Sequence, residues 1–73
     1  MRRHLTAIVE REGNGYVALC PQVDVASQGD SVAEARANLQ EAITLFLETA
    51  SAEEIAGRWR SEVYVTQVEV AVG

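Results

Sequence analysis

The sequence predicts a two-layer α+β domain in the order β-β-β-α-β: three antiparallel strands, one main helix packed on one face of the sheet, and a C-terminal strand. Three features point there. Apolar and polar residues alternate near the start and break at Gly13-Asn14-Gly15, an apolar stripe with a helical period begins just after Ser31, and valines recur at two-residue spacing near the end.

The first strand is expected over His4 to Arg11, with Leu5, Ala7 and Val9 on one face and His4, Thr6, Ile8 and Glu10 on the other. Gly13-Asn14-Gly15 tolerates left-handed backbone and supplies the reversal. Tyr16 to Cys20 is a short apolar run, and Pro21 closes it because proline has no N–H to give a ladder. The two runs make a hairpin. Val23 to Gln28 forms the third strand, and Gly29 releases the chain towards the helix.

Ser31 and Glu34 have the S-x-x-E spacing of a capping box, in which each side chain satisfies an exposed backbone N–H, although Asp30 could cap instead. At 100° per residue from Val32, the residues Ala35, Leu39, Ala42, Ile43, Phe46, Leu47 and Ala50 form one stripe. Glu34, Asn38, Glu41 and Glu48 lie opposite, and Arg36 falls at the stripe's edge, where its stem can cover the core rim. Leu45 breaks the pattern from the polar side. It is either an isolated surface apolar residue or an anchor for a partner.

Ala52 to Ala56 can form one or two helical turns that Gly57 ends. Trp59, between Arg58 and Arg60, is a lid on the core or an interface anchor. Nucleic-acid stacking is disfavoured for a single such aromatic in an acidic chain. The last strand is expected over Glu62 to Val72. Val63 and Val65 share one parity, whereas Tyr64, Thr66, Val68, Val70 and Val72 take the other. A bulge near Thr66-Gln67 would explain the change. Burial of both faces, one by the helix and the other by a second chain, is the favoured account. The expected interface residues are therefore Leu45, Trp59, Tyr64, Val68 and Val70, in a homodimer or higher homo-oligomer that uses the exposed sheet face and the last strand.

Seventy-three residues fit one domain over 1–73. Size scaling gives a folded surface of about 4,400 Å² against about 11,500 Å² unfolded, which is a thin core. One Cys and one His exclude an internal disulfide or a structural zinc site. Six basic residues, all Arg and including Arg2 and Arg3, against 11 acidic ones give a net charge of -5. That balance disfavours direct binding to nucleic-acid phosphates and suits a basic partner. No apolar run approaches a membrane span, and the unpaired Cys fits a cytoplasmic protein.

Little in the sequence resembles a catalytic site. Cys20 and His4 are the only nucleophile and base pair that the hairpin could bring together, but Cys20 sits in an apolar run where a thiol acts as a small hydrophobe. Glu10, Asp24, Glu48 and Glu69 are the carboxylates a two-metal nuclease would have to gather, and they read as surface charge. Gly13-Asn14-Gly15 precedes a strand, so it cannot cradle phosphate at a helix N-terminus. The expectation is a protein without enzymatic activity, metal or cofactor.

The run Gly15-Tyr16-Val17-Ala18-Leu19-Cys20-Pro21, then Ser27-Gln28-Gly29-Asp30-Ser31, Glu34-Ala35, Asn38-Leu39, Glu41-Ala42-Ile43 and Phe46-Leu47-Glu48, resembles the HicB-type antitoxin family and its UPF0150-type standalone domains. The resemblance covers about Leu5 to Glu48. It implies a partial ribonuclease H-like fold with a fourth strand after the helix. It also implies a role: covering the RNA-binding or catalytic surface of a small basic HicA-type toxin that cleaves mRNA. Many members carry a C-terminal DNA-binding domain, and none is expected within these residues. The alternatives are an orphan regulatory or ligand-binding domain without a toxin and, further off, a vestigial ribonuclease; Thr6-Ala7-Ile8 at the centre of the first strand has no carboxylate for the latter.

Overall fold

A computed structural model describes residues 3–73 of the chain, so Arg2 lies outside the described residues. Strand β1 (Ile8–Glu12) turns through Gly13 and Asn14 into β2 (Gly15–Cys20), and β3 (Val25–Gly29) follows. The three strands are antiparallel in the order β1-β2-β3. Gly13 carries φ +59°, which makes glycine the natural residue at the first position of this two-residue reversal. Register runs from Ile8 opposite Leu19 to Glu12 opposite Gly15, and from Tyr16 opposite Gly29 to Cys20 opposite Val25.

The first strand is shorter than its alternation suggests. Beyond Cys20 the chain enters a turn at Pro21, so the residues before Ala7 have no strand opposite them and the ladder ends at Ile8. The third strand likewise begins at Val25 and not at Val23. Residues 21–24 form the turn, with Asp24 at φ 53°, a conformation that its short polar side chain tolerates. Val23 is nonetheless wholly buried, because the turn folds its side chain into the core.

Helix α1 (Val32–Thr49) begins where the capping pattern places it. Ser31 Oγ accepts from the Glu34 N–H at 3.0 Å, while the Glu34 carboxylate reaches one residue past the cap and accepts from the Asp30 N–H at 2.9 Å. Helix α2 (Ala52–Arg58) has its own cap, with Ser51 Oγ accepting from the Glu54 N–H at 3.1 Å. It runs through Gly57, since the Trp59 N–H still donates to the Ile55 carbonyl at 2.9 Å. Glycine inside a short helix lowers its stability without ending it.

Ala18, Cys20, Val23, Ala35 and Leu39 form the buried core, with Leu5, Val9, Tyr16, Val25, Ile43, Phe46 and Trp59 packed around it. Val32 and Leu47, which belong to the apolar stripe, are 50% and 40% exposed. The cause is an off-centre helix: α1 packs most closely on β3, less on β2 and least on β1. Asn38 lies on the side of α1 that the stripe leaves polar, yet its Nδ2 donates to the Gln28 carbonyl at 2.7 Å and fastens α1 to β3.

The expected C-terminal strand is absent. Residues 61–73 form no ladder, and Tyr64, Val65, Val68, Val70 and Val72 are 64–91% exposed. Burial of both faces therefore does not occur within the chain. A strand is defined by its partner, and this segment leaves the body after Arg60 without meeting a sheet edge. The Cα radius of gyration is accordingly 14.3 Å, against about 11 Å for a compact chain of this length.

Gly29 is where helix and sheet meet most closely. A Cβ there would lie 2.5 Å from the Ala35 backbone nitrogen and 2.8 Å from the Glu34 carbonyl carbon. Neither backbone atom can rotate away, so the clash outweighs the few tenths to 1 kcal/mol that alanine gains through the unfolded chain. Gly29→Ala is expected to cost about 1–3 kcal/mol and to lower Tm by at least about 4 °C. An unchanged melting curve would mean that α1 shifts without penalty.

Candidate functional site

The displacement of α1 towards β3 opens a groove of about 640 Å³ on the β1 side of the molecule. Its floor and walls come from three parts of the chain. Residues 3–7, which join no ladder, form one bank. Arg36, Leu39, Gln40, Ile43, Thr44 and Leu47 of α1 form the other, and Ile55 and Trp59 close one end. Arg3 stacks over the Trp59 ring at 5.3 Å, a cation–π contact that joins the first bank to the closed end.

The groove is basic within an acidic protein. Its lining carries Arg3, His4 and Arg36 and no carboxylate. Opposite charge, including that of a peptide segment, would be favoured there.

Gln22 holds this region together. Its side-chain oxygen accepts from the Thr6 N–H at 3.1 Å and from Cys20 Sγ at 3.3 Å, and its Nε2 donates to Thr6 Oγ1 at 2.7 Å. Its carbonyl accepts from the Arg60 N–H at 2.8 Å. One residue thus fixes the lead into β1, the end of β2 and the start of the C-terminal segment. Nothing in the sequence singles it out, since a glutamine after a proline in a turn has no distinguishing pattern.

A second surface lies on the other side of α1. Leu45 is 61% exposed there, and Glu41 and Glu48 flank it at helical spacing. By the helical period, Leu45 stands about 170° around α1 from the centre of the groove-lining residues. The sheet face away from α1 is a third surface, with Ile8, Leu19 and Ala26 in cross-strand register and Val17 beside them. Leu19 is 37% exposed, and Glu10 and Gln28 border this smaller patch.

The expected interface residues therefore divide among different places. Trp59 is half-buried at the end of the groove, and Leu45 sits on the opposite side of the helix. Tyr64, Val68 and Val70 lie on the free C-terminal segment, where the Tyr64 hydroxyl donates to Glu62 Oε1 at 3.0 Å. Arg36 lines the groove and does not merely cover the core rim, and Leu47 at the stripe's edge joins it.

Cys20 and His4 are not brought together. The register puts Cys20 one step beyond the Ile8–Leu19 pair, facing inward and wholly buried, whereas His4 is exposed further along the lead into β1. Glu10, Asp24, Glu48 and Glu69 are likewise dispersed over β1, the β2–β3 turn, α1 and the C-terminal segment. Among the described residues no three His, Cys, Asp or Glu side chains group together, and no helix is long and apolar enough to cross a membrane.

The molecule is thus a small α+β domain in which a three-stranded antiparallel meander carries one long helix on a single face. The sequence places it more narrowly. It is 35% identical over 68 residues to a UPF0150 protein of Helicobacter pylori, a match that covers 92% of this chain and 94% of that one. It is also 50% identical over 50 residues to a UPF0150 protein of Synechocystis, covering 66% of this chain and 69% of the relative. The chain belongs to the UPF0150 family. No family profile matches it, and no solved structure does.

The role of Gln22 is open to measurement. Gln22→Leu keeps the bulk but leaves the Thr6 N–H and hydroxyl without their partners. A loss of about 1–3 kcal/mol is expected, together with faster amide hydrogen exchange at Thr6 than at the β1–β2 ladder amides. Unchanged exchange at Thr6 would show that the groove's first bank is held by other contacts.

Proposed function

We propose that this chain is a cytoplasmic protein-binding module of the HicB antitoxin type, which neutralises a small basic HicA-type mRNA-cleaving toxin by covering it and performs no chemistry of its own. The resemblance to the HicB type suggests the class of partner. The observation that carries the reading is the outward face of α1, where Leu45 stands 61% exposed between Glu41 and Glu48. An apolar anchor rimmed by like charge suits an oppositely charged partner. The carboxylates steer the encounter and reject acidic competitors, while the anchor supplies the desolvated contact.

The net charge of -5 supports the same direction of recognition. A toxin that binds mRNA must present a basic surface. An acidic domain of similar size can occupy that surface and exclude the RNA.

Co-expression with the product of a small basic reading frame beside the gene tests this. The two proteins are expected to co-purify, and the antitoxin to restore growth when the toxin is induced. Leu45→Ser should weaken the complex at least about tenfold, equivalent to about 1.4 kcal/mol, with no fall in Tm because Leu45 contributes nothing to the core. Failure of both co-purification and rescue would remove the antitoxin reading. An unchanged affinity in Leu45→Ser would move the binding surface elsewhere.

A further inference from the structure

We propose that residues 62–72 of one copy lie along the unpaired edge of β1 in a second copy and fill its groove, so that two chains exchange their C-terminal segments reciprocally. This does not depend on the toxin-binding reading, because each chain alone carries both halves of the interaction.

The edge comes first. β1 is an edge strand of the sheet and residues 3–7 before it join no ladder, so the outer side of β1 and its lead-in offers backbone groups to another strand. The groove adjoins this edge under the uncovered flank of α1, with Leu39, Ile43 and Leu47 ready to meet apolar side chains. An added strand here would be covered on one face by α1 and would extend the sheet to four strands.

The same chain supplies a suitable occupant. Residues 62–72 are rich in valine, contain no Gly or Pro, and form no ladder in their own chain. Eleven extended residues span about 36 Å, and β1 with its lead-in, residues 3–12, would span about 33 Å once drawn out alongside them. Charge agrees as well. The groove lining carries Arg3 and Arg36 without a carboxylate, while the segment carries Glu62 and Glu69 without a Lys or Arg.

A chain does not fill its own groove in this structure. Trp59 closes the groove's end, the Arg60 N–H is tied to the Gln22 carbonyl, and from there the segment runs out to 91% exposure at Val72. The accessible surface is 6069 Å², about 1,700 Å² more than size scaling predicts. Removing that excess from two chains would bury about 3,300 Å², within the range of obligate homodimers. A reciprocal exchange closes with two-fold symmetry, since each chain's segment and β1 edge are both used within the pair.

Light scattering and amide hydrogen exchange on the full chain test the exchange. At micromolar concentration the mass should be about twice 7.9 kDa, with amides of residues 62–72 and 3–7 protected. Dilution should remove the mass doubling and the protection together. Val70→Glu and Leu47→Glu should each raise the dimer Kd at least about tenfold while Leu19→Glu, on the other sheet face, leaves it unchanged. Val70 is 71% exposed in the single chain, so its variant can fold as a monomer. A monomeric mass overturns the proposal, whether the segment is unprotected or protected independently of concentration by its own groove. So does a dimer whose residues 62–72 exchange freely, or one that Leu19→Glu abolishes and Val70→Glu leaves intact.

Discussion

The contact on which this architecture depends is the seating of α1 on β3. At Gly29 the helix backbone comes closer than any side chain would allow, and ten residues from Gln28, Asn38 hydrogen-bonds that residue's carbonyl. These two constraints draw the helix to one side of a sheet only three strands wide. A helix about 10 Å across cannot fully cover three strands spaced about 4.8 Å apart when it packs most closely on the β3 edge. The β1 side is consequently left open, and the groove is the space that the off-centre helix does not fill.

The thin core follows from the same geometry. Among the described residues five are fully or almost fully buried, and the larger apolar side chains around them keep one side in solvent. With so little interior, stability relies on local devices of about 1 kcal/mol each: the Ser31 and Ser51 caps, the Gly13 reversal and the hydrogen bonds of Gln22. Cation–π contacts act at the rim, and those near α2 are Arg3 over Trp59 and Arg58 over Phe46. Each joins α2 or its neighbourhood to the body. α2 is therefore held largely at its C-terminal end, and this fixes the point from which the C-terminal segment departs.

What could be read from the sequence depended on whether a residue's neighbours lay within its own element. The hairpin, both helix starts and the length of α1 rest on turn chemistry, caps and periodicity, all local, and these were legible. Strand ends were less so, because Val23 and His4 fit a strand pattern but lack a partner once Pro21 turns β2 away. The C-terminal strand failed for the same reason on a larger scale. Its valines specify a segment that favours pairing, and no pattern within 62–72 can say where a partner edge is found. Leu45 was visible as a break in the helical pattern, whereas Gln22 was not, since its three connections reach Thr6, Cys20 and Arg60 through space.

The two faces of α1 also separate two tasks that would otherwise compete. The basic groove and the acidic, Leu45-bearing face are turned about 170° from one another, so a segment laid in the groove does not cover the outward face. With a strand exchanged at each β1 edge, a pair of chains would present two acidic helix faces. A basic partner binding one of them would gain no contact with the exchanged segments. Coupling between the two surfaces would have to pass through α1 itself, whose position is fixed at the β3 end by Gly29 and Asn38. Partner binding and chain pairing should then be energetically independent to first order, as expected of distant sites that share a rigid element but no contact.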